Sequence, residues 1–247
     1  MALDFRFSFA YTIYAMKKID IFSRKYVDSL MQTCVHFYRR GIKGDQNTST
    51  KRCKSLEGNK MTPIDLTTTA TLANDEAKLV ELILYIADKC ENDPHFGKTK
   101  LNKILFFSDM LYYGFFGNAI TGVEYFALEN GPAPKRMIPV LEHLIGNGEA
   151  CVAKRKIFGK EQHRVIPNRD ANLDCFDARE IAFVDSVIEY FEGKNATDVS
   201  DLSHQYAGWK LASYKETIPY ETIYVSTTPP TAMDMKRGLE LVREYGW

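Results

Sequence analysis

Apolar residues recur at helical spacing from residue 74 onward. Leu79, Leu82, Ile83, Ile86 and Cys90 fall at i, i+3, i+4, i+7 and i+11 and make one stripe. Asn74 stands where it can cap that helix, with Asp75 and Glu76 in the first turn, and Asp93-Pro94 ends it. A second helix is expected over about 98–113. Leu101, Ile104, Leu105, Leu111 and Tyr112 line one side of it, and Phe106, Phe107, Met110 and Tyr113 cover the other. A helix apolar nearly all round is central in its fold or covered by a partner. Gly114 and Gly117 are expected to break it.

Pro132 and Pro134 suit the start of a third helix. Its apolar face is Met137, Val140, Leu141, Leu144 and Ile145, and Gly146-Asn147-Gly148 stops it. Two strand-like runs follow, 151–158 and 163–167, joined by Gly159-Lys160-Glu161, which predicts a β-hairpin. Asp177 with Glu180 has the spacing of a capping box. It opens a helix carrying Ile181, Val184, Ile188 and Phe191 on one face. A further helix near 197–213 holds Leu202, Tyr206 and Trp209, and a last one is expected near 232–245, after a Thr-Thr-Pro-Pro break. The order predicts an α+β fold, mostly α: a compact helical domain with a projecting β-hairpin.

Charge divides the chain. The formal net charge is zero over 247 residues, but residues 1–60 hold 12 Lys/Arg against 5 Asp/Glu, and residues 61–247 hold 20 against 27. A basic arm therefore precedes an acidic body, and an acidic body gives no general reason to expect nucleic-acid binding. Residues 41–60 are polar and linker-like. Met61 stands just before the periodic pattern begins. Residues 1–60 are thus expected to be a basic N-terminal arm and linker, loosely attached or disordered, or an over-extended start. Residues 61–247 form the main domain, with a core at about 78–223. The five cysteines are scattered without a C-x-x-C spacing and are expected to be free thiols in a reducing cytosol. The first residues lack the order of a signal peptide and no apolar run approaches bilayer length, so a cytoplasmic protein without a membrane partner is expected.

Catalytic motifs are largely absent. There is no G-x-x-x-x-G-K-[ST], G-x-G-x-x-G, G-x-S-x-G or H-E-x-x-H, and no cofactor, metal site or catalytic residue is assigned. Ser203-His204 is only a dipeptide, since a triad needs spatial adjacency. Cys90 lies on the apolar stripe of the first helix and is expected to be a buried, inert thiol. Residues 151–169 form the one basic patch of the acidic body, with Lys154, Arg155, Lys156, Lys160, Arg164 and Arg169 against Glu161. A helix followed by a basic hairpin is compatible with DNA contact or an acidic partner. The bland alternative is charge that keeps an exposed hairpin from pairing edge to edge.

Four pieces in order resemble the Panacea domain, the SocA-like antitoxin family. Lys100-Leu101-Asn102-Lys103-Ile104-Leu105-Phe106-Phe107-Ser108-Asp109 is similar to its K-L-x-K-L-L-Y-x-A-D helix, and Gly117-Asn-Ala-Ile-Thr-Gly122 with Glu124-Tyr-Phe-Ala127 to its small loop and adjoining segment. Gly131-Pro132 stands where the family has Gly-Pro, and Leu202-Ser203-His204 with Trp209 resembles its later L-S…W element. Ser108 departs from the usual Ala, and Ala133-Pro134 from the usual Val. The resemblance implies an antitoxin that neutralises a cognate toxin encoded beside it, either by masking it or by delivering it to a protease. The family supplies no catalytic residues. Toxin-binding candidates are Lys103, Asp109, Tyr112, Tyr113, Gly131, Pro132 and Trp209. Asp109 is further expected to hold the loop at Gly131 by accepting amide hydrogen bonds.

Overall fold

A computed structural model describes residues 74–157, 160–225, 227 and 231–245. The basic arm and linker of residues 1–60, and the question of its start, lie outside the described residues. Helix α1 (Asn74–Lys89) buries the whole stripe from Leu79 to Cys90. Asn74 is the first described residue of that helix, and what precedes it lies outside the described residues. Helix α2 (Lys98–Phe116) runs a turn longer than its pattern predicts and buries fourteen of its nineteen residues. Gly114 is helical, because Phe115 and Phe116 still have core to cover, and Gly117 ends the helix in the left-handed region at φ 76°.

The core wraps around α2. Phe106 meets Phe107, Tyr125 and Tyr206 edge to face with ring centroids 5.1–5.2 Å apart. Each such ring contributes about 1.5–3 kcal/mol relative to exposure. Helices α4 (Ala178–Phe191) and α5 (Ala196–His204) supply the opposing faces, and α6 (Ala207–Leu211) follows α5. The capping box at the head of α4 is present in both directions, Asp177 accepting from the Glu180 amide and Glu180 from the Asp177 amide. The single helix expected near 197–213 is two, α5 and α6, separated at Gln205 and Tyr206. The turn between them drives the Tyr206 ring into the core beside Phe106.

A three-stranded antiparallel sheet fixes the loops at one end of α2. Its order is β2 (Ala133–Pro134), β1 (Tyr125–Phe126), β5 (Thr217–Ile218). Pro134 pairs with Tyr125, and Ile218 pairs with Tyr125 from the other side. The prolines expected to open the third helix therefore sit in an edge strand, where a missing N–H is tolerated. That helix, α3, runs Met137–Gly146. Met137, Val140, Leu141 and Leu144 are buried as expected, but Ile145 is 46% exposed.

The hairpin of β3 (Ala150–Ile157) and β4 (Lys160–Pro167) holds eight cross-strand pairs. Its second strand begins at Lys160, so Lys160 and Glu161 are strand rather than connector. Lys156 lies opposite Glu161 in the register, but Glu161 turns to Lys154, 3.9 Å away, and to His163. The base of the hairpin does not project. Arg164 and Gln162 reach backbone carbonyls in the turn after α1, and the exposed part is the far end with Lys154, Arg155 and Lys156. A C-terminal helix, α7 (Ala232–Tyr245), exposes Met233, Met235 and Leu239. Among the described residues no helix is long and apolar enough to cross a membrane.

Candidate functional site

Four polar residues of α2, Lys100, Lys103, Ser108 and Asp109, are buried. Lys100 donates to the Asp93 carboxylate at 2.5 Å and to the Lys194 carbonyl at 2.8 Å. One turn on, Lys103 donates to the Pro132 carbonyl at 2.9 Å. Burial lowers the Lys103 amine to about 7. Gly131 lies against it at φ 89°, and a Cβ there would overlap Ser203 Oγ and Lys103 Nζ. The Gly131-Pro132 turn is thus seated on Lys103 and flanked by α5. Only glycine combines that φ with that closeness.

Asp109 anchors a different loop. Fully buried, it accepts from the Thr121 amide at 2.8 Å, from the Thr121 hydroxyl, and from the Tyr125 hydroxyl at 2.7 Å. Burial pushes its carboxyl up, against the pull of the Thr121 and Tyr125 donors. The expected bond to the Gly131 loop is replaced by this set. Asp109 is six residues beyond Lys103, about 9 Å along the axis and two thirds of the way round the helix. Lys103 holds one turn and Asp109 holds the other.

Five of the seven residues singled out from the resemblance lie in the interior: Lys103, Asp109, Tyr112, Gly131 and Pro132. Tyr112 packs on Phe116 and Phe183, with centroids 4.5 and 5.4 Å away. Tyr113 is half-buried, donates to Glu221 at 3.1 Å and lies over Tyr220. Trp209 is half-buried too. Its indole donates to the Leu128 carbonyl at 3.0 Å and its ring stacks on His204 at 4.0 Å. His204 is therefore a packing residue, and burial with the nearby Lys103 lowers its imidazole pKa. Ser203 is buried and donates to the Ser200 carbonyl at 2.7 Å. Burial raises the Cys90 thiol to about 12, which keeps it protonated and inert.

The basic patch is smaller than its six residues suggest. Arg164 is only 6% exposed and donates to the Cys90, Glu91 and Asp93 carbonyls, closing the C-terminal end of α1. Arg169 is clamped between Glu81 at 2.8 Å and Glu149 at 2.5 Å. Lys154, Arg155 and Lys156 are exposed, and Lys154 lies 3.9 Å from Glu161. The side chain of Lys160 lies outside the described residues. No group of three or more His, Cys, Asp or Glu among the described residues could hold a metal ion.

Sequence reasoning passed over Thr121 as the partner of Asp109 and Ser203 as the neighbour of Gly131, and it missed Ile138, 60% exposed on α3. Ile138 falls off the helical stripe beside it, which was the available signal. Against known proteins, residues 101–210 match the family model described as antitoxin SocA-like, Panacea domain. The matched segment begins inside the first turn of α2 and ends in α6, so it contains both anchored turns and the hairpin. No curated protein and no solved structure matches the chain.

Proposed function

We propose that this protein, whose residues 101–210 match the family model described as antitoxin SocA-like, Panacea domain, neutralises a cognate toxin by direct protein–protein binding. The toxin is the product of an adjacent gene. One observation carries the reading beside the family match: the strongest polar groups of α2, Lys103 and Asp109, are spent on holding two turns. What the domain offers a partner is surface of defined shape rather than a reactive group. We read it as a binding protein and not as an enzyme. The binding unit is the segment of about 78–223, and residues 1–60 are an accessory arm. Neutralisation works by masking the toxin's working surface or by presenting the toxin to a protease. Tyr113 and Trp209, half-buried where the other five candidates are interior, are the two of the seven that we expect to touch the partner.

The DNA-binding alternative is weakened by the hairpin itself. With Arg164 and Arg169 engaged inside the protein, Lys154, Arg155 and Lys156 are the exposed cations of the patch among the described residues. Three cations neutralise few phosphates, and affinity for DNA scales with that number.

Growth rescue tests the proposal. The adjacent open reading frame is expressed from an inducible promoter in a bacterial host, alone and with residues 1–247 or 61–247. Toxicity relieved by either chain supports the antitoxin role, and relief by 1–247 alone assigns part of the binding surface to the arm. Toxicity that neither chain relieves, or a harmless neighbour, overturns it.

A further inference from the structure

A groove runs between α3 and the hairpin, at the foot of α2. Ile138, Leu141, Ile145, Val152 and Val165 form its apolar lining, and its volume is about 160 Å³. A drug-sized ligand needs roughly 300–1,000 Å³. About 150 Å³ accepts a single benzene-sized group. The groove is therefore sized for one bulky apolar side chain. Ile138 and Ile145 stand on its lip, 60% and 46% exposed, so apolar surface is already presented around the opening.

Charge follows on the same face. Strand alternation puts Val152, Lys154 and Lys156 on one side of β3, and their cross-strand partners are Val165, His163 and Glu161. The apolar floor is thus continued outward by Lys154, Lys156 and His163, with Lys98 on the rim at the start of α2. Lys98 and Lys156 have no ion-pair partner among the described residues. Of the two acids, Glu161 is taken up by Lys154 and His163, and Glu142 is exposed on the opposite lip.

We infer that this groove receives a segment of a protein partner that carries one large apolar side chain followed by carboxylates. The inference rests on the antitoxin reading, with the toxin as that partner. The apolar anchor fills the groove over Leu141 and Val165, and the carboxylates lie along Lys154 and Lys156. Complementary charge of this kind fixes register and speeds encounter. The protein's own arm is a poor occupant, since residues 1–60 carry seven more cations than anions and would meet like charge.

The experiment uses the full chain and a labelled synthetic helical peptide with a leucine anchor and glutamate flanks. Two control peptides replace the glutamates by lysine or the leucine by serine. Anisotropy measures affinity, and a photo-crosslinker at the anchor maps the seat. The glutamate peptide is expected to bind and to cross-link to α3 or the hairpin. Affinity should fall about tenfold or more for Ile138→Glu. Lys154→Glu/Lys156→Glu should shift the preference to the lysine peptide, and Leu239→Glu on α7 should change nothing. All substituted positions are exposed, so circular dichroism should match the native chain. No binding at millimolar peptide, indifference to both groove changes, or cross-links on α7 would overturn the inference. So would a native homodimer that Ile138→Glu dissociates, since a second copy would then cover the groove. In the growth assay, failure of the native chain to rescue overturns the antitoxin reading and leaves the peptide result to judge the groove. Rescue by the native chain that Ile138→Glu leaves unchanged overturns the groove as the toxin's seat.

Discussion

Removing the Asp109 carboxylate should cost far more than one surface hydrogen bond. Asp109→Ala strips the acceptor from the Thr121 amide, the Thr121 hydroxyl and the Tyr125 hydroxyl, all in the interior. The amide cannot turn elsewhere, and an orphaned buried donor costs about 1–3 kcal/mol. The hydroxyls can rotate, and each adds a smaller amount. Loss of a carboxyl that burial already disfavours returns part of this. The balance is about 2–4 kcal/mol, a large share of a typical domain stability of roughly 5–15 kcal/mol. Asp109→Asn keeps one carbonyl for the Thr121 amide and should cost about 1–2 kcal/mol. Urea denaturation followed by circular dichroism reads both through the midpoint at unchanged slope. An alanine variant within about 1 kcal/mol of the native chain would refute the anchor argument, as would asparagine as damaging as alanine.

Lys103→Met should flatten the rise of stability with pH between about 7 and 9. Burial lowers the amine from 10.5 to about 7, so the unfolded chain binds the extra proton in that window and folding gains as pH rises. Equal slopes in urea midpoints across that range would contradict this. Gly131→Ala should destabilise by about 2–4 kcal/mol, through a positive φ and overlap with Ser203. The pair Gly131→Ala/Ser203→Ala should recover part of the loss, and strict additivity would argue against the overlap. Arg164→Met should cost about 2–4 kcal/mol in the same assay, because three carbonyls after α1 lose their charged donor. A shift below about 0.5 kcal/mol would return Arg164 to the free patch.

Elements with enough length to show a period were legible. The stripes of α1 and α3, the Asp177 box and the hairpin pattern each carry their own local signal. Ala133-Pro134 had none. A two-residue strand has no alternation, and two prolines fit a helix start equally well until Tyr125 is seen to pair with Pro134. The break between α5 and α6 was hidden for a related reason, since Tyr206 keeps the apolar spacing while the backbone turns. The anchors were half legible. Lys103 and Asp109 stood out as polar residues in an apolar helix, but their partners Pro132 and Thr121 are fixed by how the loops return over α2. Counting cations along 151–169 could not separate Arg164 from Lys154. The difference is a set of carbonyls more than seventy residues away in the chain.

Direct association with the adjacent gene product tests the central claim. Titration calorimetry of the purified full chain into that purified protein should give a saturable isotherm at micromolar affinity or tighter. It should also weaken about tenfold or more for Ile138→Glu. A flat titration with an active, folded neighbour would contradict the account.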